Sequence, residues 1–186
     1  MTSTGTPSVE YRTARPADRA AIEALDGSFH TATVFDVTVS ETGFALAEIP
    51  VDPPLHKVFP PDEDGPGAAE GGSEDARTFV AVDGGVLCGF AAVTYAAWNR
   101  RLTVEDIEVA PGHRGRGIGR TLMEHAAAFA RARGAAHLWL EVSSVNAPAV
   151  HAYRRMGFSL CGLDTALYDG TPAAGERALF MSRPCG

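Results

Sequence analysis

The stretch LTVEDIEVAPGHRGRGIGRTLMEHAAAF, residues 102–129, decides the fold. An alternating apolar strand ends at Pro111, and a turn with three glycines in five residues follows, namely Gly115, Gly117 and Gly119. An amphipathic helix begins directly after this turn, with apolar residues spaced i, i+4, i+8 and i+11 at Ile118, Leu122, Ala126 and Phe129. Unpaired N–H groups and the positive end of the helix dipole meet at such a turn. The stretch therefore predicts a site for a diphosphate-bearing ligand.

The residues between the glycines decide among the known phosphate-binding turns. Arg114, Arg116 and Arg120 are interleaved with the glycines and add charge-assisted hydrogen-bond donors. A dinucleotide motif that starts at Gly115 would need a glycine where Arg120 stands. A P-loop that ends at Thr121 would need glycine at 114 and lysine at 120, and both are arginine. The pattern that does fit is R-x-x-G-x-G over residues 114–119.

The remaining segments predict a mixed α/β sheet with helices on both faces. Asp83-Gly84-Gly85 has the composition of a hairpin turn, and Gly134 and Gly157 have the positions expected of helix ends. We expect strands over 9–15, 78–82, 86–95, 101–109, 137–142, 158–167 and 176–181, and helices over 16–25, 117–133 and 146–156. Residues 33–39 and 44–49 also look like strands, but Pro50, Pro53 and Pro54 are expected to end them. A short helix within 27–36 is the alternative there.

Length and composition predict one soluble domain over residues 1–186, with a disordered tail at 1–8. The formal net charge is −7, and six acids without a base lie in residues 60–76, so the rest of the chain carries −1. That segment is expected to be a mobile acidic loop. The chain has no basic face for nucleic acid, no membrane-spanning apolar run and no secretory leader, so a cytoplasmic location is expected.

The three cysteines, Cys88, Cys161 and Cys185, have neither a metal-ligand spacing nor a disulfide pattern. We therefore expect no metal site. Cys88 and Cys161 fall within predicted strands and are expected to be buried small apolar side chains.

A second motif follows the strand at 137–142 and, together with the glycine turn, carries a family resemblance. It consists of Asn146, Ala149, Tyr153, Arg154, Gly157 and Phe158, spaced N-x-x-A-x-x-x-Y-R-x-x-G-F. With both motifs in order, the chain resembles the GNAT superfamily of acyl-CoA-dependent N-acyltransferases. The resemblance implies a central twisted mixed sheet of about seven strands flanked by helices. It also implies acetyl-CoA as cofactor, with its pyrophosphate on Arg114, Gly115, Arg116, Gly117, Ile118, Gly119 and Arg120.

The same resemblance assigns roles to further residues. The backbone of Ile107, Glu108 and Val109 would pair with the pantetheine arm, and the Val109 N–H would polarise the thioester carbonyl. Tyr153 would be the general acid that protonates the leaving thiolate, with packing against the sheet as its alternative role. Asn146 would cap its helix and hydrogen-bond the cofactor.

The acids of the strand 101–109 offer a general base. Strand alternation puts Glu105 on the face of Ile107 and Val109, opposite Asp106 and Glu108, unless a bulge intervenes. We expect Glu105 to be the base, and Asp106, Glu108 or water are the alternatives. The interpretation without a catalytic role is that these acids form a solvated strand face. Asp106 would then bind the cationic substrate. Residues expected on the substrate side are Glu141, Trp98 and Tyr168.

The stretches TFVAV, RGRGIG, HAYRRMGF and LYDGT resemble the antibiotic-resistance branch of the family, which acetylates streptothricin-type antibiotics. The resemblance implies direct acetyl transfer, within a ternary complex, to an amine of the β-lysine moiety. The alternatives are another small polyamine, lysine or a protein N-terminus as acceptor, and a non-catalytic acyl-CoA sensor. A homodimer through the strand at 176–181 is also expected from this analogy.

Overall fold

The computed structural model describes residues 9–58 and 73–186. Its strands are β1 Glu10–Thr13, β2 Phe29–Ser40, β3 Gly43–Lys57, β4 Ala76–Asp83, β5 Val86–Ala96, β6 Arg101–Val109, β7 His137–Ser143, β8 Ser159–Asp164 and β9 Ala178–Pro184. Its α-helices are α1 Arg19–Glu23, α2 Ile118–Ala132 and α3 Ala147–Arg155, and short 3-10 turns cover Pro16–Asp18 and Pro111–His113. Seven strands form one mixed sheet in the order β1-β4-β5-β6-β7-β9-β8, and β2 pairs with β3 separately. The expected α/β class with about seven strands is confirmed.

The chain divides into two compact units. The described part of unit 1 is 9–27, 73–138 and 185–186, and unit 2 is Ser28–Val58 with Trp139–Pro184. The expectation of a single domain stays a prediction. The expected tail at 1–8 and residues 60–72 of the expected acidic loop lie outside the described residues. Among the described residues, no helix is both long and apolar enough to cross a membrane.

Unit 1 holds β1, β4, β5 and β6 in antiparallel register, with α2 packed on them. The β4–β5 hairpin turns at Gly84 and Gly85, whose φ angles of 57° and 86° match a turn that requires left-handed residues. The predicted apolar stripe of α2 is buried at Ile118, Leu122 and Ala126, whereas Phe129 is half-buried. Met123, Ala127 and Ala130 are buried beside it. Burial of each large apolar side chain stabilises the unit by roughly 1.5–3 kcal/mol.

The first helix of unit 1 is shorter than predicted. Residues 16–25 form the 3-10 turn Pro16–Asp18 and then the single helical stretch α1. The Asp18 carboxylate fixes the start of the 3-10 turn, because it accepts the Arg15 N–H at 2.6 Å. It also accepts hydrogen bonds from the two terminal nitrogens of Arg12, Nη1 at 2.6 Å and Nη2 at 2.9 Å. The Arg12 hydrogen bond is the main reason why the pKa of Asp18 falls to about 2.

Unit 2 corrects the reading of residues 28–58. β2 and β3 form one long hairpin that runs through Pro50, Pro53 and Pro54, and the alternative helix within 27–36 is wrong. The register shifts between Thr31 and Thr33, so that residues 51–54 bulge out of the ladder. In a two-stranded sheet each strand has one unpaired side, where a proline loses no ladder hydrogen bond. The expectation that the three prolines end the strand is therefore wrong, since β3 continues to Lys57.

Two further features of unit 2 differ from the prediction. β8 ends at Asp164 rather than 167, because the Asp164 carboxylate accepts the N–H groups of Ala166 and Leu167 at 2.7 and 3.1 Å and turns the chain. β9 lies between β7 and β8, so both its edges are paired and the expected dimer contact through 176–181 is wrong. β8 is the edge strand, and its Cys161 is exposed rather than buried, whereas Cys88 of unit 1 is buried as expected.

Candidate active site

The glycine turn of unit 1 has the backbone of an anion site. Gly115 and Gly117 have φ angles of 75° and 82°, and Gly117 is the N-cap of α2. The first intrahelical bond, from the Thr121 N–H to the Gly117 carbonyl, is 3.0 Å long. The N–H groups before Thr121 therefore have no acceptor within the helix. A Cβ at either glycine would meet nothing within 4 Å, so there is open space beside the turn in the described structure. These residues fit a pyrophosphate.

The three arginines of the turn each have a partner within unit 1. Arg114 Nε donates to the Val109 carbonyl at 2.8 Å, and Arg120 pairs with Glu124 one helical turn away at 3.2 Å. Arg116 Nη1 lies 2.9 Å from Asp83 Oδ2, in the β4–β5 hairpin. Asp83 escaped the sequence analysis because a hairpin turn explains an aspartate at that position without a ligand.

The backbone N–H and C=O groups of successive β6 residues point in opposite directions, either towards β5 or away from it. The Ala110 N–H donates to the Cys88 carbonyl at 2.9 Å, which makes that opposed pair a hydrogen-bonded one. Bonded and non-bonded pairs alternate along an antiparallel ladder. Since Val109 lies opposite Gly89 and Ile107 opposite Ala91, the backbone groups of both residues point away from β5. Their orientation suits pairing with an extended ligand arm, whereas the backbone of Glu108 faces β5.

A bulge in β6 overturns the alternation argument for Glu105. Asp106 lies opposite Ala92 and Val104 opposite Val93, so Glu105 is the extra residue and has no opposite neighbour. Its side chain is exposed. A residue at a bulge leaves the regular alternation of faces, so the placement of Glu105 on the face of Ile107 and Val109 is wrong. The expectation held only if no bulge intervened, and here a bulge does.

Glu108 lies against the backbone that follows α1. A Cβ added at Gly27 would come within 2.2 Å of Glu108 Oε1 and within 2.8 Å of Oε2. A side chain at Gly27 would require this carboxylate to move, so the closing residue of the first helical segment has a packing reason that its sequence did not reveal.

Unit 2 brings together a second set of predicted residues, Glu141 and Tyr168. The Tyr168 hydroxyl donates to Glu141 Oε1. Burial raises the pKa of Glu141, the Tyr168 hydrogen bond lowers it in part, and the negative charge of Glu176 raises it again. The pKa of Tyr168 is raised far above its ordinary value, first by burial and then by Glu141, so the phenol stays a donor.

The same region contains residues that the sequence analysis missed. Glu176 accepts hydrogen bonds from Lys57 Nζ and from Ser143 Oγ, and the side chains of Lys57 and Glu176 are only 18% and 14% exposed. These two residues are 119 positions apart in the chain, and no motif connects them. We call Glu141, Tyr168, Glu176, Lys57 and Ser143 the acceptor cluster.

The helix motif has the predicted local structure. Asn146 is the N-cap of α3, and its Oδ1 accepts the Ala149 N–H at 3.2 Å. Tyr153 is half-buried near the C-terminal end of α3, with its ring centroid 6.0 Å from that of Phe158. Contacts with the β2–β3 hairpin are made by the neighbours of Tyr153. His151 Nε2 lies 2.9 Å from Glu48 Oε1, and the Arg154 guanidinium lies 5.0 Å from the centre of the Phe35 ring.

A family model described as "Acetyltransferase (GNAT) family" matches residues 45–158, and these contain both motifs. The chain belongs to the GNAT family. The resemblance and the expected acetyl-CoA-dependent N-acetyltransferase activity are thereby confirmed, with acetyl-CoA as the acetyl donor. A non-catalytic sensor is set aside.

This GNAT chain is similar to several acetyltransferases. A streptothricin acetyltransferase of Streptomyces lavendulae is 67% identical over 188 residues and covers 100% of both chains. A streptothricin acetyltransferase of Escherichia coli is 32% identical, covering 85% of this chain and 87% of its own. The crystal structure of nourseothricin acetyltransferase has a TM-score of 0.88 and 64% identity, covering 96% of this chain and 99% of that one. A [ribosomal protein bS18]-alanine N-acetyltransferase of Escherichia coli strain K12 is 37% identical, covering 44% of this chain and 55% of its own.

The remaining expected site residues of this GNAT enzyme are placed as follows. Trp98 lies in the turn between β5 and β6 of unit 1 and is 87% exposed. Asp106 is half-buried in β6, directly after the bulge. Their binding roles stay predictions, as do those of the glycine turn, the β6 backbone, Asn146 and Tyr153.

Proposed function

We propose that this enzyme transfers the acetyl group of acetyl-CoA to an amine of a streptothricin-type antibiotic. The similarity of the two streptothricin acetyltransferases over nearly the whole chain supports this acceptor class. The observation that carries the chemistry is the hydrogen bond between Tyr168 and Glu141, since it holds a carboxylate of raised pKa in a fixed orientation. A cationic amine needs such a group to bind it and to remove its proton.

Residues of unit 1 would hold the donor. The N–H groups that begin α2 and the open glycine turn bind the pyrophosphate, and the arginines add positive charge. Bound acetyl-CoA supplies an activated thioester. The Val109 N–H, directed away from β5, stabilises negative charge on the carbonyl oxygen during attack.

Residues of unit 2 would handle the acceptor. The Glu141 carboxylate accepts a proton from the acceptor ammonium. The Tyr168 hydroxyl holds Oε1 of this carboxylate, and the other oxygen, Oε2, is the one that would face the amine. We infer Glu141 rather than Glu105 as this base, because the Tyr168 hydroxyl orients the Glu141 carboxylate, whereas Glu105 is the extra residue of a bulge. Glu176 adds negative charge, which Lys57 partly balances.

Tyr153 would donate its phenol proton to the leaving thiolate. The contacts of His151 and Arg154 with the β2–β3 hairpin hold α3, and with it the Tyr153 side chain. We take the transfer to be direct, with both substrates bound, as the resemblance to the GNAT family implies. Acetylation removes a positive charge from the antibiotic and weakens its attraction to anionic nucleic acid.

The test is thiol release from acetyl-CoA with three acceptors: streptothricin, free lysine and a short peptide with an N-terminal alanine. The peptide is included because one relative is an alanine N-acetyltransferase. We expect rapid release with streptothricin, a product that is heavier by one acetyl group, and intersecting initial-velocity lines. Turnover only of the peptide or of lysine would refute the antibiotic as substrate, and parallel lines would refute the ternary complex.

Two expectations about the protein in the cell are tested separately. A homodimer stays a prediction, and sedimentation equilibrium of the purified chain would decide it. The cytoplasmic location also stays a prediction, and fractionation of the producing cells would decide that one.

A further inference from the structure

Asp83 is the last residue of β4 and faces the segment that leads into α2. Its Oδ2 lies 2.9 Å from Arg116 Nη1 and 3.5 Å from His113 Nε2. The Asp83 side chain is only 13% exposed, against 45% for that of Arg116 and 29% for that of His113. One shielded carboxylate therefore contacts two basic side chains of the same short segment.

Hydrogen bonds hold the start of this segment, from the His113 N–H to the Ala110 carbonyl at 2.8 Å and from Arg114 Nε to the Val109 carbonyl at 2.8 Å, but its glycines add no side-chain contact. Gly115 and Gly117, on either side of Arg116, have positive φ angles and no side chains that could pack against the unit. Glycines of this kind are free to adopt many backbone conformations when nothing restrains them. Any such freedom must be given up when a ligand binds, and that loss weakens affinity.

Asp83 comes from a more rigid place. β4 is paired with β1 on one side and β5 on the other, and Val80 and Ala81, just before Asp83, are fully buried. A carboxylate at the end of such a strand can restrain a mobile partner, since the pair is less screened by solvent than an exposed one. The guanidinium has five N–H donors, so pairing with Asp83 does not exhaust Arg116.

We propose that Asp83 is a positioning residue for the donor site, which holds Arg116 and His113 so that the glycine turn is ordered before acetyl-CoA binds. The inference rests on the proposed function only in taking the glycine turn as the pyrophosphate site. Asp83 itself, being negative, is not a ligand of the pyrophosphate.

The test is calorimetric titration of the full chain with coenzyme A, which reports binding without turnover. For Asp83→Asn we expect the Kd to rise about tenfold, with partial recovery in Asp83→Glu. At saturating acetyl-CoA, kcat and the KM of the acceptor should stay within about twofold, because the acceptor cluster is untouched. The matched control is Asp75→Asn, which removes a carboxylate paired with Arg133, the C-cap of α2, in the same unit and should leave the Kd unchanged.

A double-mutant comparison separates positioning from general destabilisation. In an Arg116→Gln background, Asp83→Asn should raise the Kd by a smaller factor than in the unmodified chain, because the contact with Arg116 is already absent and only that with His113 is left to break. An unchanged or lower Kd for Asp83→Asn alone would overturn the inference, and a lower one would mean that Asp83 competes with the ligand for Arg116. If the unmodified chain fails to bind coenzyme A, the proposed function fails instead, and the two failures are distinct.

Discussion

The glycine turn of unit 1 and the acceptor cluster of unit 2 are built on opposite principles. The turn offers main-chain N–H groups and a helix dipole, and its side chains are already occupied with partners such as Val109, Asp83 and Glu124. The acceptor cluster offers only side chains, taken from β3, β7 and the segments that precede β9. The difference teaches where a GNAT enzyme can change its substrate. On the proposed function, the backbone site binds the common donor with little dependence on sequence, whereas the side-chain cluster can be altered residue by residue.

The largest expected effect concerns α3, which carries the proposed general acid. Tyr153→Phe should lower kcat by about 10²–10³-fold, because the leaving thiolate loses its proton donor. The Kd for coenzyme A should change little, since the turn of unit 1 is intact. Steady-state kinetics with calorimetry would measure both, and Tyr11→Phe, which removes the hydroxyl of a ring stacked on His125, is the control. A full kcat in Tyr153→Phe would limit the residue to packing.

The next effect tests whether the acceptor cluster does chemistry or only binds. Glu141→Gln should lower kcat/KM for streptothricin by about 10²-fold, since an amide cannot accept the ammonium proton. Glu41→Gln in the exposed β2–β3 turn is the matched control. If the loss appears only in the KM of the acceptor, Glu141 binds the cation and another group is the base.

The Glu141 base also sets a pH dependence. The base must be ionised, so kcat/KM should rise with pH through a pKa that burial raises above the ordinary carboxylate value. The Tyr168 hydrogen bond lowers that pKa in part, so Tyr168→Phe should move the acidic limb to higher pH. A limb that moves to lower pH, or stays in place, would show that another group controls the profile.

A smaller effect concerns the backbone of the glycine turn. Gly117→Ala places a Cβ at φ 82° in the open side of the turn, and should raise the KM of acetyl-CoA by about tenfold while destabilising the chain by about 1 kcal/mol. Gly134→Ala imposes similar strain at the other end of α2, where φ is 71°, and should affect stability alone. Equal KM values in the two variants would contradict a donor site at the turn.

The same contrast explains what the sequence could predict. The glycine turn and the Asn146 cap are local motifs, in which spacing along the chain decides the structure, and both were confirmed as structural features. The contact of Lys57 with Glu176 depends on the path of the β2–β3 hairpin, where three prolines argued against a strand. The bulge at Glu105 depends on how β5 pairs with β6. Pairing between segments is a tertiary property, so residue patterns predicted the glycine turn and the Asn146 cap far better than the contacts of the acceptor cluster.

The smallest expected effect separates the charge pairs that fold unit 1 from those that order its ligand site. Asp18→Asn removes the partner of Arg12 and the cap of the first helical turn, and should lower the free energy of unfolding by about 1–2 kcal/mol at pH 7. The pKa of Asp18 is lowered from 3.8 to about 2 on folding, so its contribution is present above pH 4 and is lost as the pH falls towards 2. The difference between Asp18→Asn and the unmodified chain in urea titrations should therefore shrink over that interval. Glu23→Gln, which breaks an exposed pair with Arg19, should cost no more than about 0.5 kcal/mol at any pH.

Neither substitution should change the Kd for coenzyme A. A change in Asp18→Asn would mean that the donor turn depends on the stability of the whole unit, and the effect of Asp83→Asn would then have to be measured against this variant.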